Sequence, residues 1–361
     1  MPVYNEEAEL RRFFEDLALQ EADDGGPLPE GTLHVVLVDS ESEDGTSEVV
    51  EQARARLSSV QITLVQEPVR HHVVARARGA ALVTGPEGLA RSSVLASADV
   101  DTRFHPRWVA DVGRRLGEGR VDAVTYAGSY PVEFWSRVPT LARRYFEEVG
   151  TVFFPRATIE EYAFDEGAAL VTEQVFHDLV RVPSDAAWAL TKDAYLRAGG
   201  FVRETGADGG DVMFEGRNLR FRLDALGARV EYANDTPFET SPRRLLHEGE
   251  RLLGGTAYAG GLTHLRAPVE PSHFEALEQL AERYPFDALR RYVVKHYVLL
   301  PVVSRPSLLA GNERYFGEAA EEVAAAAVAL PPARAAADVH ATADLLLDRR
   351  LEDVLDALER L

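Results

Sequence analysis

From residue 33 to about residue 125, short β-branched runs alternate with amphipathic stretches, the pattern of βαβ units on a parallel sheet. Leu33-His34-Val35-Val36-Leu37-Val38 reads as a strand. The turn from Asp39 to Thr46 closes with Asp44-Gly45-Thr46, ahead of a helix through Val49, Val50, Ala53 and Leu57. Further strands are predicted over 61–66, 92–98 and 122–127, with helices over 76–82 and 106–116, the second opened by Pro106. The stretch 130–185 carries Phe134, Trp135, Tyr145, Phe146, Phe153 and Phe154 without clean periodicity and reads as part helix, part loop.

Past it come a strand over 187–191 and a short helix over 193–198 closed by Gly199-Gly200. A loop over 206–210, a helix over 211–226 stopped by Gly227, and a strand over 229–232 follow. After residue 245 strand signals fade. Ser272 with Glu275 spells a capping box for a helix through Tyr284, and Pro285 opens another to about Leu300. The alanine-rich stretches 317–329 and 338–361 are helical by propensity. The expectation is an α/β domain over 1–245 and a helical extension over 246–361, with no repeat at a fixed period.

Composition narrows the function. With 361 residues, 46% apolar and 27% charged, the chain has the material for one large or two smaller cores, and the lack of cysteine excludes a disulfide scaffold. Its 59 acidic against 39 basic residues give a formal charge of -20, a field that repels nucleic-acid backbones. An acidic protein that handles phosphates is expected to do so through a metal. No run approaches the roughly 18 apolar residues of a membrane span, and no signal-like segment opens the chain, so the expected location is cytoplasmic.

Asp99-Val100-Asp101 directly follows the apolar run Val94-Leu95-Ala96-Ser97-Ala98, which puts two carboxylates at the carboxyl end of a strand, where α/β sheets bind ligands. Two oxygen donors there suit a hard divalent cation that completes its shell with water and substrate phosphate. Alone, an Asp-x-Asp is a solvated turn; its neighbours change the reading. Pro2-Val3-Tyr4-Asn5-Glu6-Glu7 opens the chain, Val38-Asp39-Ser40-Glu41-Ser42-Glu43-Asp44-Gly45-Thr46 ends the next strand, Arg76-Ala77-Arg78-Gly79 lies on a helix, and Gly210-Asp211-Val212 begins a late one. Asp193 to Phe201 precedes that late helix.

In this order the set resembles family 2 glycosyltransferases of the GT-A fold, over roughly residues 1–245. The resemblance implies a Rossmann-like, mostly parallel sheet flanked by helices, and a nucleotide-sugar donor, UDP- or GDP-linked. It implies a donor site of Pro2, Tyr4, Glu6, Asp39, Arg76 and Asp99, in which Tyr4 stacks on the base and Asp39 bonds its edge. Asp101, with Asp99, would hold Mn²⁺ or Mg²⁺, and Asp211 would be the general base of an inverting transfer to an acceptor hydroxyl. Departures are Gly210 where the family has an acidic residue, the Ser-Glu-Ser-Glu turn after Asp39, and a central strand that would precede Pro2 and is missing from Met1 onward. They keep open a truncated start or a catalytically degenerate nucleotide-sugar-binding or scaffold protein. A sugar nucleotidyltransferase is the other alternative, although no Gly-rich loop followed by a basic residue opens the chain.

His247 and His264 are candidate further metal ligands, His71-His72 and Arg243-Arg244 could face phosphate, and Tyr130, Phe134 and Trp135 could meet an acceptor or simply pack. The apolar run 297–303 is too short to span a bilayer and is expected to dock on protein. No processive-synthase Gln-x-x-Arg-Trp is present, so transfer of single sugars is expected.

Overall fold

A computed structural model describes residues 1–85, 94–152, 187–205, 215–254, 269–331 and 336–361. It has two compact units, Met1–Ser129 with Pro183–Glu204 and Met213–Thr240, and Tyr130–Val182 with Thr205–Val212 and Ser241–Leu361.

The first unit is mixed α/β. In chain order it contains β1 (Pro2–Val3), α1 (Glu7–Ala18), β2 (Leu33–Asp39), α2 (Thr46–Arg56), β3 (Val60–Gln66) and α3 (His72–Thr84). There follow β4 (Val94–Ala98), β5 (Thr102–Phe104), α4 (Trp108–Gly117), β6 (Ala123–Ser129), β7 (Ala187–Thr191), α5 (Lys192–Arg197), α6 (Glu215–Ala225) and β8 (Val230–Thr240). β2 and β3 pair in parallel from Leu33 opposite Val60 to Asp39 opposite Gln66, as the β-branched runs predict. Their connection α2 buries Val49, Val50 and Ala53. β1 adds only Pro2 and Val3, against Val38 and Asp39. The described strands form two sheets, β1-β2-β3 and β4-β7-β6-β8-β5. In the second, β6 and β8 are parallel while β7 and β5 run antiparallel to their neighbours.

Two boundaries move for local reasons. α3 starts at His72, ahead of the expected 76, because the His71 ring caps it by accepting the Val73 N–H at 3.2 Å. β8 runs to Thr240, past the expected 232, because β6 and β5 pair with it on both sides; an irregularity between Tyr126 and Gly128 accommodates the region of Pro237. Gly128 is required there, since a Cβ would stand 2.2 Å from the Phe238 ring. The core joins Leu10, Phe13, Phe14, Leu37, Phe104, Trp108 and Tyr126, all buried. Each such side chain contributes about 1.5–3 kcal/mol of burial. Buried Asp111 fastens α4 to β6 and β8, accepting from Arg115 at 2.6 Å, Tyr126 at 3.1 Å and Thr236 at 3.2 Å. Burial raises its carboxyl pKa, and Arg115 and Arg114 outweigh that, leaving it below the ordinary value.

In its described part the second unit is helical, with segments Val132–Arg137, Pro139–Glu148, Pro271–Arg283, Asp287–Val293, Ala320–Ala329 and Ala336–Glu359 among others. Glu278 accepts the N–H groups of Thr140 at 2.6 Å and Leu141 at 3.2 Å, serving the first turn of Pro139–Glu148. The capping box expected from Ser272 and Glu275 forms two residues earlier, with the Glu270 N–H donating to His273 Nδ1 at 2.9 Å. Pro271 sits at the first helical position, where its missing N–H costs nothing, so the cap falls on Glu270. Phe134 and Trp135 are buried among Tyr130, Tyr145 and Phe146, which makes them core. Val298, Leu299, Leu300, Val302 and Val303 are buried as well, so the apolar run is taken up by packing. Among the described residues no helix is long and apolar enough to cross a membrane.

Candidate functional site

The ends of β2 and β3 and the chain around Tyr4 form one side of the site. Segment 2–7 and turn 39–46 are knitted together by polar contacts: Asn5 N–H to Ser42 Oγ at 2.9 Å, Glu43 N–H to Asn5 Oδ1 at 2.7 Å, Glu7 N–H to Asp44 Oδ2 at 3.1 Å and Gly45 N–H to Glu7 Oε2 at 3.1 Å. Asn5 and Glu41 take left-handed backbone, with φ of 53° and 62°. Asn tolerates that conformation; Glu41 is held there by the turn. The altered Ser-Glu-Ser-Glu sequence thus still builds a closed turn, in which Ser42 takes the structural part.

Asp39, 2% exposed, ends β2. Its Oδ1 accepts the Ser42 N–H at 3.1 Å and the Ser42 hydroxyl at 2.5 Å, and its Oδ2 accepts Gln66 Nε2 at 2.9 Å. Tyr4 is half-buried, with the Arg70 guanidinium 4.6 Å from its ring centroid. Arg70 also lies 3.5 Å from Glu43 and 3.8 Å from Glu41. Pro2 is in β1 and Glu6 is the N-cap residue of α1.

On the other side, α3 delivers Arg76 to the end of β4. The Arg76 side chain is 4% exposed, donates to Ser97 Oγ at 2.8 Å, and is ion-paired with Asp99. Its Nε is 2.9 Å from Oε1 of Glu215, the first residue of α6 and only 1% exposed at its side chain. The other Glu215 oxygen is 3.2 Å from His72 Nε2. Burial raises the Glu215 pKa, but the charge of Arg76 and the contact with His72 outweigh it and hold the carboxyl well below its ordinary range. A carboxylate so held is a poor proton acceptor, and it faces Arg76 on one side and His72 on the other.

Asp99 is 36% exposed at its side chain and Asp101 half-buried, two residues on in the turn before β5. Among the described residues no group of three or more His, Cys, Asp or Glu forms a metal cage. Asp99 and Asp101 put two carboxylates two residues apart between β4 and β5, with Asp99 paired to the buried Arg76, and oxygen donors of this kind are what a hard divalent cation takes, completing its shell with water and phosphate oxygens.

The structure therefore brings Arg76 and Asp99 together, and Asp39 to a strand end shared with Gln66. Asp211, Gly210 and His264 lie outside the described residues. His247 packs edge-on against His273, ring centroids 4.4 Å apart. Sequence reasoning missed Glu215, and it named His72 only as a residue that could face phosphate. Glu215 is the acidic residue in the first turn of α6, a signal overlooked because the helix was read from 211. His72 opens α3, with its ring stacked on His71.

Residues 1–162 match the sequence profile described as Glycosyl transferase family 2. No curated protein matches the chain. Among solved structures, a mannosyltransferase from Pyrobaculum calidifontis in complex with GDP-Man and Mn²⁺ is similar at 17% identity, covering 98% of this chain and 86% of that one, with a TM-score of 0.44. Residues 1–349 of TarS from S. aureus are similar at 15% identity, covering 99% and 88%, with a TM-score of 0.46. The same TarS segment in complex with UDP-GlcNAc is similar at 14% identity, covering 99% and 89%, with a TM-score of 0.43.

Proposed function

From the match of residues 1–162 to the glycosyl transferase family 2 profile, we propose that the chain transfers a sugar from a nucleoside-diphosphate sugar to an acceptor hydroxyl, with inversion and with the help of a divalent cation. The observation that carries the reading is the buried Arg76, fixed by Ser97, Asp99 and Glu215 at the Asp-x-Asp turn. A buried guanidinium pinned beside two carboxylates is an arrangement for meeting a diphosphate and its counterion.

In the proposed reaction the acceptor oxygen attacks the anomeric carbon as the bond to the diphosphate oxygen breaks. The hydroxyl proton passes to a carboxylate, for which Asp211 is the candidate. Negative charge grows on the leaving diphosphate. Asp99 and Asp101 would hold Mn²⁺ or Mg²⁺, which when bound supplies the positive charge that the leaving group needs. Tyr4 offers a flat face to the base, Asp39 an acceptor for its edge, and Pro2 and Glu6 shape the segment that carries Tyr4. The catalytic part is assigned to 1–245, the helical extension to 246–361, and the reaction to the cytoplasm. The test is a hydrolysis-corrected transfer assay with UDP- and GDP-sugars and Mn²⁺ on the full chain, alongside binding of the free nucleoside diphosphates. Metal-dependent binding of one nucleotide supports the reading, and no binding of any by the folded chain overturns it.

A further inference from the structure

Resting on that donor-site reading, we infer that Gln66 is a base-reading residue and that the site selects guanine. Gln66 and Asp39 stand opposite one another at the carboxyl ends of β3 and β2, where parallel strands present ligand contacts. A carboxylate accepts and never donates, so the Gln66 amide can face Asp39 only with its nitrogen. Its Oε1 is thereby turned away from Asp39, on an exposed residue with no other side-chain hydrogen bond among the described residues.

The acceptor count of Asp39 completes the argument. Oδ1 is saturated by the N–H and hydroxyl of Ser42, while Oδ2 takes one bond from Gln66 and keeps one lone pair. What the two strand ends offer a base is a pair of neighbouring acceptors, one on Asp39 and one on Gln66. Guanine presents two adjacent donors, N1–H and the N2 amine. Uracil presents one N–H between two carbonyls, and cytosine an amine beside an acceptor nitrogen, so each would set an oxygen or nitrogen lone pair against one of these acceptors.

The test is titration calorimetry on the full chain with GDP, IDP, UDP and CDP, each with Mn²⁺. IDP lacks only the N2 amine, so its comparison with GDP needs no variant. GDP is expected to bind about five- to tenfold more tightly than IDP, the range for one hydrogen bond to a polar partner. In Gln66→Met, which keeps the length of the side chain and removes its oxygen, that ratio is expected to fall to about one while the chain remains folded. Equal affinity for GDP and IDP, UDP or CDP binding at least as tightly as GDP, or an unchanged GDP-to-IDP ratio in Gln66→Met would overturn the inference and leave the donor site standing. Failure of all four to bind removes the donor site and this inference together.

Discussion

Arg76 and Glu215 are ion-paired at 2.9 Å with side chains 4% and 1% exposed, although 139 positions (215 − 76) separate them in the sequence. The pair joins α3 to α6 and holds the guanidinium at the Asp99 end of β4. Glu215→Gln removes the charge that matches a buried cation, and breaking such a pair costs about 3–5 kcal/mol. Urea denaturation of the variant is expected to show that loss, and an unchanged midpoint would show that solvent already screens the pair. Because the folded pKa of Glu215 is depressed, its contribution is present above the unfolded glutamate range and is lost as pH falls through it toward the folded value. The difference between wild type and Glu215→Gln should therefore shrink on acidification.

Asp101→Ala is expected to abolish metal-dependent nucleotide binding, since it removes one of two carboxylates at the Asp-x-Asp turn and no third acidic or imidazole group among the described residues completes a cage. A nucleotide at 100 times its dissociation constant stabilises by about 2.7 kcal/mol, which a thermal melt resolves. The shift with Mn²⁺ should vanish in Asp101→Ala. A full shift in the variant would place the cation elsewhere.

Much of this was legible because hydrophobic spacing and strand-end chemistry are local. The β2 and β3 runs, their parallel pairing and the turn that closes on Thr46 all follow from residues within about one helix of each other. The partnership of Arg76 with Glu215 was not legible, because the order of β4, β7, β6 and β8 across the sheet decides which distant helix start meets α3. The same holds for Ser42, read as a weakness of the turn and found to orient Asp39. The two-residue β1 differs again: no strand was read at Pro2 and Val3, and only their pairing with Val38 and Asp39 shows it.

Asp211→Asn is expected to keep nucleotide binding and lose transfer by about 10²–10⁴-fold, the usual contribution of a positioned base. Equal nucleotide affinities in the two proteins, measured by calorimetry, would separate this from a folding defect. Wild-type transfer in the variant would remove Asp211 from the mechanism and send the search for the base to other carboxylates near the acceptor.

Tyr4 carries the last prediction, because its ring and its hydroxyl make separable contributions. Stacking of a base requires only a planar π-face, so Tyr4→Phe should bind the nucleotide as wild type does. Tyr4→Ala should weaken binding by about 1–3 kcal/mol, the usual effect of removing a base-stacking aromatic. Arg70 now lies against that ring at 4.6 Å, held by two exposed carboxylates, and exposed pairs of this kind are worth no more than about 1 kcal/mol. The guanidinium can therefore yield to a base without cancelling the gain from stacking. Calorimetry on Tyr4→Phe, Tyr4→Ala and Arg70→Ala distinguishes the contributions. If Tyr4→Ala binds like wild type, the ring packs against Arg70 for the protein's own stability and the base stacks elsewhere.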